Sequence, residues 1–144
     1  MLPALLLVCA ACRGAPVTQA AILSPGVVEE PVSGVLTAAL AADSRLERAD
    51  SLWDPGAPVI ADGELRGEPP RFAGIGPGGQ AAISVSRLEV RQSLVWVYLE
   101  YRWISTQDGT AREGRATVLL TPRGEGTGWK IVHAHSSSVR EPET

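Results

Sequence analysis

The chain has 144 residues, 44% hydrophobic and 20% charged, which is enough apolar material for one packed domain and too little for two. A formal charge of −3, with 12 arginines scattered along the chain, excludes the basic footprint of a nucleic-acid binder. No cysteine lies beyond Cys12, so no disulfide staples the domain and packing has to hold it together.

Met1 to Cys12 reads MLPALLLVCAAC. An apolar run of about ten residues is too short to span a bilayer but suits the core of a secretory signal. Ala10-Ala11-Cys12 resembles the end of a bacterial lipoprotein signal, with Cys9 where leucine is usual, and makes Cys12 the expected lipidation site. The chain is thus expected at the cell envelope, touching the membrane only through a lipid anchor, with a plain cleaved signal or a cytosolic start as the alternative. Cys9-Ala-Ala-Cys12 also spells C-x-x-C, but no helix or second ligand pair follows to make it a redox or metal motif.

Residues 13–31 carry three prolines and no sustained period, and are expected to form a linker or, given the apolar Ala20-Ala-Ile-Leu23, an irregular arm lying on the domain. The domain is expected over residues 32–140. Val32, Val35, Leu36, Ala39 and Leu40 recur at helical spacing, with Pro31 suited to the first turn, and predict a helix over 32–42. Ser44 stands three residues before Glu47, a capping-box spacing, and predicts a second helix over 44–53, closed by Asp54-Pro55-Gly56. Pro58 to Gly63 reads as a short strand ending in a turn. Residues 64–80 hold three prolines and five glycines and predict a long loop, either a surface loop without function or one that covers a site.

From Ala82 onward the period is two. Strands are predicted over 83–90, 94–105, 113–121 and 129–139, with Gln107-Asp108-Gly109 the strongest hairpin signal. Four antiparallel strands after two helices make an α+β fold, a sheet with one face against the N-terminal helices. In the longest strand Val95, Val97, Leu99, Tyr101 and Trp103 share one side, and Trp96, Tyr98, Glu100, Arg102 and Ile104 the other. Large apolar groups on both sides imply that the face away from the helices meets a second subunit, a homodimer. On the last strand, alternation places Trp129, Ile131, His133, His135 and Ser137 together; it does not say whether they share the face of Glu100 and Arg102.

The element order and the ending Trp129-Lys-Ile-Val-His133-Ala-His135-Ser-Ser137, with Asp54-Pro55-Gly56 and Asp108-Gly109, resemble the nuclear transport factor 2-like superfamily, its SnoaL-like (polyketide-cyclase-like) branch in particular. The association domain of calcium/calmodulin-dependent kinase is a near relative of that branch. The resemblance implies a cone-shaped, curved antiparallel sheet with a pocket between sheet and helices. It implies no single activity, because such domains include isomerases, cyclases, ligand binders and assembly modules.

A ligand-binding reading assigns a small, partly apolar molecule to Trp96, Tyr98, Trp103 and Trp129, with Arg102, His133 or His135 fixing a polar group. An isomerase-like or cyclase-like reading makes Glu100, His133 or His135 the general base. A third reading is a non-catalytic dimerisation domain. No cofactor is expected, and His133-x-His135 lacks the further ligand that a metal needs. Ser136 to Ser138 lack the context of a nucleophile.

Overall fold

The computed structural model describes residues 25–124 and 128–140; Cys12, the signal-like segment and most of the linker lie outside them. A single helix, α1 (Pro25–Ser44), opens the fold. It begins seven residues before the expected start, so the end of the segment read as linker is helical. Val28, Val32, Leu36, Ala39 and Leu40 form its buried stripe. Pro31, taken for a first-turn residue, lies inside the helix. An interior proline costs a helix about 3 kcal/mol, and burying Val28 one turn earlier offsets much of that, at about 1.5–3 kcal/mol.

The predicted second helix does not form. The Ser44 hydroxyl donates back to the Leu40 carbonyl at 3.1 Å instead of capping forward. Leu46 and Ala49 take left-handed backbone (φ 56° and 45°), and Leu46 is exposed. What remains is a 3₁₀ turn at Asp50–Leu52.

Six strands follow: β1 (Val59–Ala61), β2 (Glu64–Leu65), β3 (Gly79–Arg91), β4 (Leu94–Ser105), β5 (Ala111–Pro122) and β6 (Trp129–Val139). Their order across the sheet is β2-β1-β6-β5-β4-β3. Every pair is antiparallel except β1 with β6, so the curved, unclosed sheet is mixed where an antiparallel one was expected. Asp62 and Gly63, both at positive φ, make the tight turn between β1 and β2. Asp108-Gly109 turns β4 into β5 as predicted, with Gly109 at φ 72°.

The helix packs chiefly on β3 and also touches β6, covering the inner face of the sheet. Val95, Val97, Leu99 and Tyr101 of β4, and Val118 and Leu120 of β5, are almost completely buried there. The glycine- and proline-rich loop does not roof a hollow. It enters the fold, and Phe72, Ala73 and Ile75 are buried in the core. Phe72 stands edge-on to Tyr101 and tilted to Trp53, each with ring centroids 5.9 Å apart. Four hydrogen bonds hold it: Asp43 accepts the Arg71 and Phe72 amides at 2.7 Å, Ser136 Oγ accepts the Ala73 amide at 2.9 Å, and the Tyr101 hydroxyl donates to the Ala73 carbonyl at 2.6 Å.

Candidate functional site

Simple alternation along β6 fails at one residue. His133 pairs with Leu119 but Ile131 pairs with Leu120, so Val132 is an inserted residue, a β-bulge. Trp129 and Ile131 face the core. After the bulge Ala134 and Ser136 do so, and His133, His135 and Ser137 turn to the outer face. The expected grouping of the histidines with Trp129 and Ile131 is therefore corrected, and the imidazoles do not point into an enclosure under the helix. His133 is half-buried and His135 exposed.

The register resolves the question that alternation left open. Across the outer face run the rows Glu89–Trp96–Leu119–His133, Arg87–Tyr98–Thr117–His135, Val85–Glu100–Arg115–Ser137 and Ala82–Arg102–Glu113–Val139. Trp96, Tyr98, Glu100, Arg102, His133 and His135 thus share one surface. Trp103 and Trp129 lie on the opposite side of the sheet, buried in the core, so the seven residues assigned to one ligand do not surround one volume. Arg112 stacks on the Trp103 ring at 4.9 Å, and Gly79 leaves the space that ring occupies.

On the outer surface Glu100 is already engaged. The Tyr98 hydroxyl donates to it at 2.7 Å, and Arg115 lies 3.4 Å away. That hydrogen bond raises the Tyr98 phenol above its ordinary pKa, because ionising it would set two negative charges together. This paired carboxylate lies on a face that no helix among the described residues covers. Trp96 and Ile104 are 40% and 43% exposed, and Val85 and Val139 are exposed too. Val85, Arg87, Trp96, Tyr98 and Glu100 line a shallow depression.

A second concavity, of about 410 Å³, lies at the mouth of the sheet between the Asp54-Pro55-Gly56 corner and the strand-free run 66–71. None of the residues proposed from sequence lines it. Arg71 forms its floor: its side chain is 7% exposed, stacks on Trp53 at 4.9 Å, and donates to the carbonyls of Arg48 and Gly67 and to Asp50. Lys130, from the motif strand, reaches Asp54 at 2.5 Å. The signal that could have found this site was the pair Arg66 and Arg71 around Pro69-Pro70, the two guanidinium groups of an otherwise glycine- and proline-rich loop. Ser136 and Ser138 serve the scaffold, Ser138 bonding Asp62 through its amide and hydroxyl at 2.7 and 2.9 Å. Among the described residues no three His, Cys, Asp or Glu side chains come together to hold a metal ion.

No family model matches this sequence, and no curated protein matches it. Among solved structures the chain is similar to a nuclear transport factor 2 (NTF2-like) superfamily protein from Salmonella enterica serovar Typhimurium LT2. The identity is 11% and the TM-score 0.60, over 83% of this chain and 96% of that one. It is also similar to a putative calcium/calmodulin-dependent protein kinase II association domain from Xanthomonas campestris, with 15% identity and a TM-score of 0.58 over 88% and 94% of the two chains.

Proposed function

Starting from the nuclear transport factor 2-like fold that this chain has, we propose that it is a non-catalytic homodimeric domain of the cell envelope, with the outer face of its sheet as the dimer interface. The observation that carries this reading is a face that nothing among the described residues covers. Trp96, Ile104, Val85 and Val139 stand exposed on it around the half-buried Tyr98 and Leu119, while the inner side is filled by the protein's own loop. Charges of both signs flank the aromatic centre: Arg87 and Arg115 among Glu89, Glu100 and Glu113. Such a face is self-complementary, because a two-fold rotation sets carboxylates of one copy against guanidinium groups of the other. Similarity to a chain described as an association domain supports assembly over turnover. The finer resemblance to the SnoaL-like branch rests on the ending Trp129 to Ser137.

The proposal extends to export, with Cys12 lipidated and residues after it as the tether. A second reading, binding of a small ligand, is favoured by the cavity at the sheet mouth and is independent of the dimer.

Sedimentation velocity tests the main reading. The wild-type chain at micromolar concentration is expected as a dimer, and Trp96→Glu as a monomer with an unchanged circular dichroism spectrum. A monomeric wild type, or a Trp96→Glu dimer as tight as wild type, would overturn it. For the anchor, the chain expressed in a bacterium should partition into detergent, and Cys12→Ser should move it to the aqueous phase.

A further inference from the structure

We propose that the cavity at the sheet mouth is a binding site for a small organic monocarboxylate, with the Arg66 guanidinium as its anchor. The argument is an inventory of charge. The lining contributes three guanidinium groups, Arg48, Arg66 and Arg71, and two carboxylates, Asp50 and Asp54. Arg48 is paired with Asp50 at 3.1 Å and with Glu68, outside the lining, at 2.6 Å. Arg71 is paired with Asp50 at 3.1 Å and caps two carbonyls besides. Asp54 is neutralised by Lys130. Arg66 has no carboxylate partner among the described residues; its guanidinium donates to the Pro70 carbonyl at 3.2 Å and keeps most of its five N–H groups free. Asp43, whose carboxylate also lies in the field of Arg66 and Arg71, is buried and spent on the Arg71 and Phe72 amides, so Arg66 is the lining guanidinium left with no carboxylate at ion-pair distance and has room for one counter-charge.

The geometry says what form that charge takes. The backbone amide of Arg66 is bonded to the Val59 carbonyl at 2.9 Å, which holds the residue beside β1 at the rim of the cavity. Its side chain is half-buried, so an anion accepted there is partly desolvated and the planar fork can meet a carboxylate with two parallel hydrogen bonds. The same lining includes apolar groups, Pro55, Ala57 and Trp53. A carboxylate carrying a compact apolar body satisfies both halves. A dianion such as phosphate brings a second negative charge toward Asp50 and Asp54, and a neutral amide offers Arg66 no counter-charge. Arg71 acts as a positioning residue: its fork is already spent on Asp50 and the two carbonyls, and its guanidinium lies over the Trp53 ring at 4.9 Å.

Isothermal titration of the full chain with benzoate tests this. Benzoate is expected to bind saturably, benzamide and inorganic phosphate at least about tenfold more weakly, and Arg66→Gln should lower benzoate affinity by at least about tenfold. Arg87→Gln, on the outer face, should match wild type, which excludes non-specific attraction to arginine. The proposal is overturned if benzoate gives no saturable binding, if benzamide or phosphate binds as well, or if Arg66→Gln binds benzoate like wild type. It is overturned equally if Arg87→Gln loses as much affinity as Arg66→Gln. Benzoate binding by Trp96→Glu should equal that of wild type, since that change acts on the other side of the sheet.

Discussion

The carboxylate of Asp43, one residue from the end of α1, accepts the backbone amide of Phe72 at 2.7 Å, and the same oxygen accepts the Arg71 amide. One buried side chain thus ties the helix to the loop that fills the inner face of the sheet. Burial raises the Asp43 pKa from 3.8 to about 6, against the two amide bonds and the nearby Arg71 and Arg66 charges that favour ionisation.

That shift has a pH signature. Below the ordinary carboxylate pKa both folded and unfolded chains hold the proton, and between there and pH 6 only the folded chain does. The contribution of Asp43 to stability is therefore full at low pH and is lost as pH rises through the folded pKa, by on the order of 3 kcal/mol. Urea unfolding of wild type and Asp43→Asn at about pH 4 and about pH 7 isolates it. The amide variant should gain on wild type as pH rises. A gap that stays constant with pH would mean that Asp43 does not titrate in this range.

Tyr101 and Gly114 are direct cross-strand partners, and a Cβ on Gly114 would lie 2.3 Å from the Tyr101 ring. The ring is buried and its hydroxyl is engaged with Ala73, so it has nowhere to go. Gly114→Ala should cost about 1–3 kcal/mol of stability by overpacking. In a Tyr101→Leu background the same change should cost much less, a non-additivity read from a double-mutant cycle. Equal costs in the two backgrounds would point to the backbone rather than the ring.

Both tyrosines of the chain ionise above the ordinary phenol value of 10: Tyr98 through its bond to Glu100, Tyr101 chiefly through burial. In a spectrophotometric titration the folded protein should show less tyrosinate absorbance at pH 10 than free tyrosine does. Glu100→Gln should move one of the two transitions down and leave the other in place. If neither moves, the Tyr98–Glu100 bond is absent in solution.

The bulge at Val132 decides which way the histidines face, and thiol labelling can read it. In a Cys9→Ser/Cys12→Ser/Trp96→Glu background, which is free of native thiols and monomeric on the present proposal, His135→Cys should react with a maleimide in the folded state. Ala134→Cys, at a position 1% exposed, should react only on unfolding. The reverse pattern would restore regular alternation and return the imidazoles to the core.

Local chemistry was enough for much of this fold. Period-two runs marked β3 to β6, Asp108-Gly109 marked a turn that needs positive φ, and the Val32-Leu36-Leu40 stripe marked α1, because each signal lies within a few residues of what it specifies. The site was not legible in the same way. Val132 looks like any strand residue until Leu119 and Leu120 show that it has no partner, and that one insertion reverses the face of every residue after it. The loop reads as surface until Asp43, Tyr101 and Ser136, distant in sequence, supply the hydrogen bonds that let its backbone be buried. Arg66 is one scattered arginine among 12 until folding pairs its neighbours and leaves it without a carboxylate. Strand and turn identities are short-range preferences written in the chain. Which face a histidine takes, what fills a cavity and which charge stays unpaired depend on contacts between distant residues, and only tertiary structure decides those.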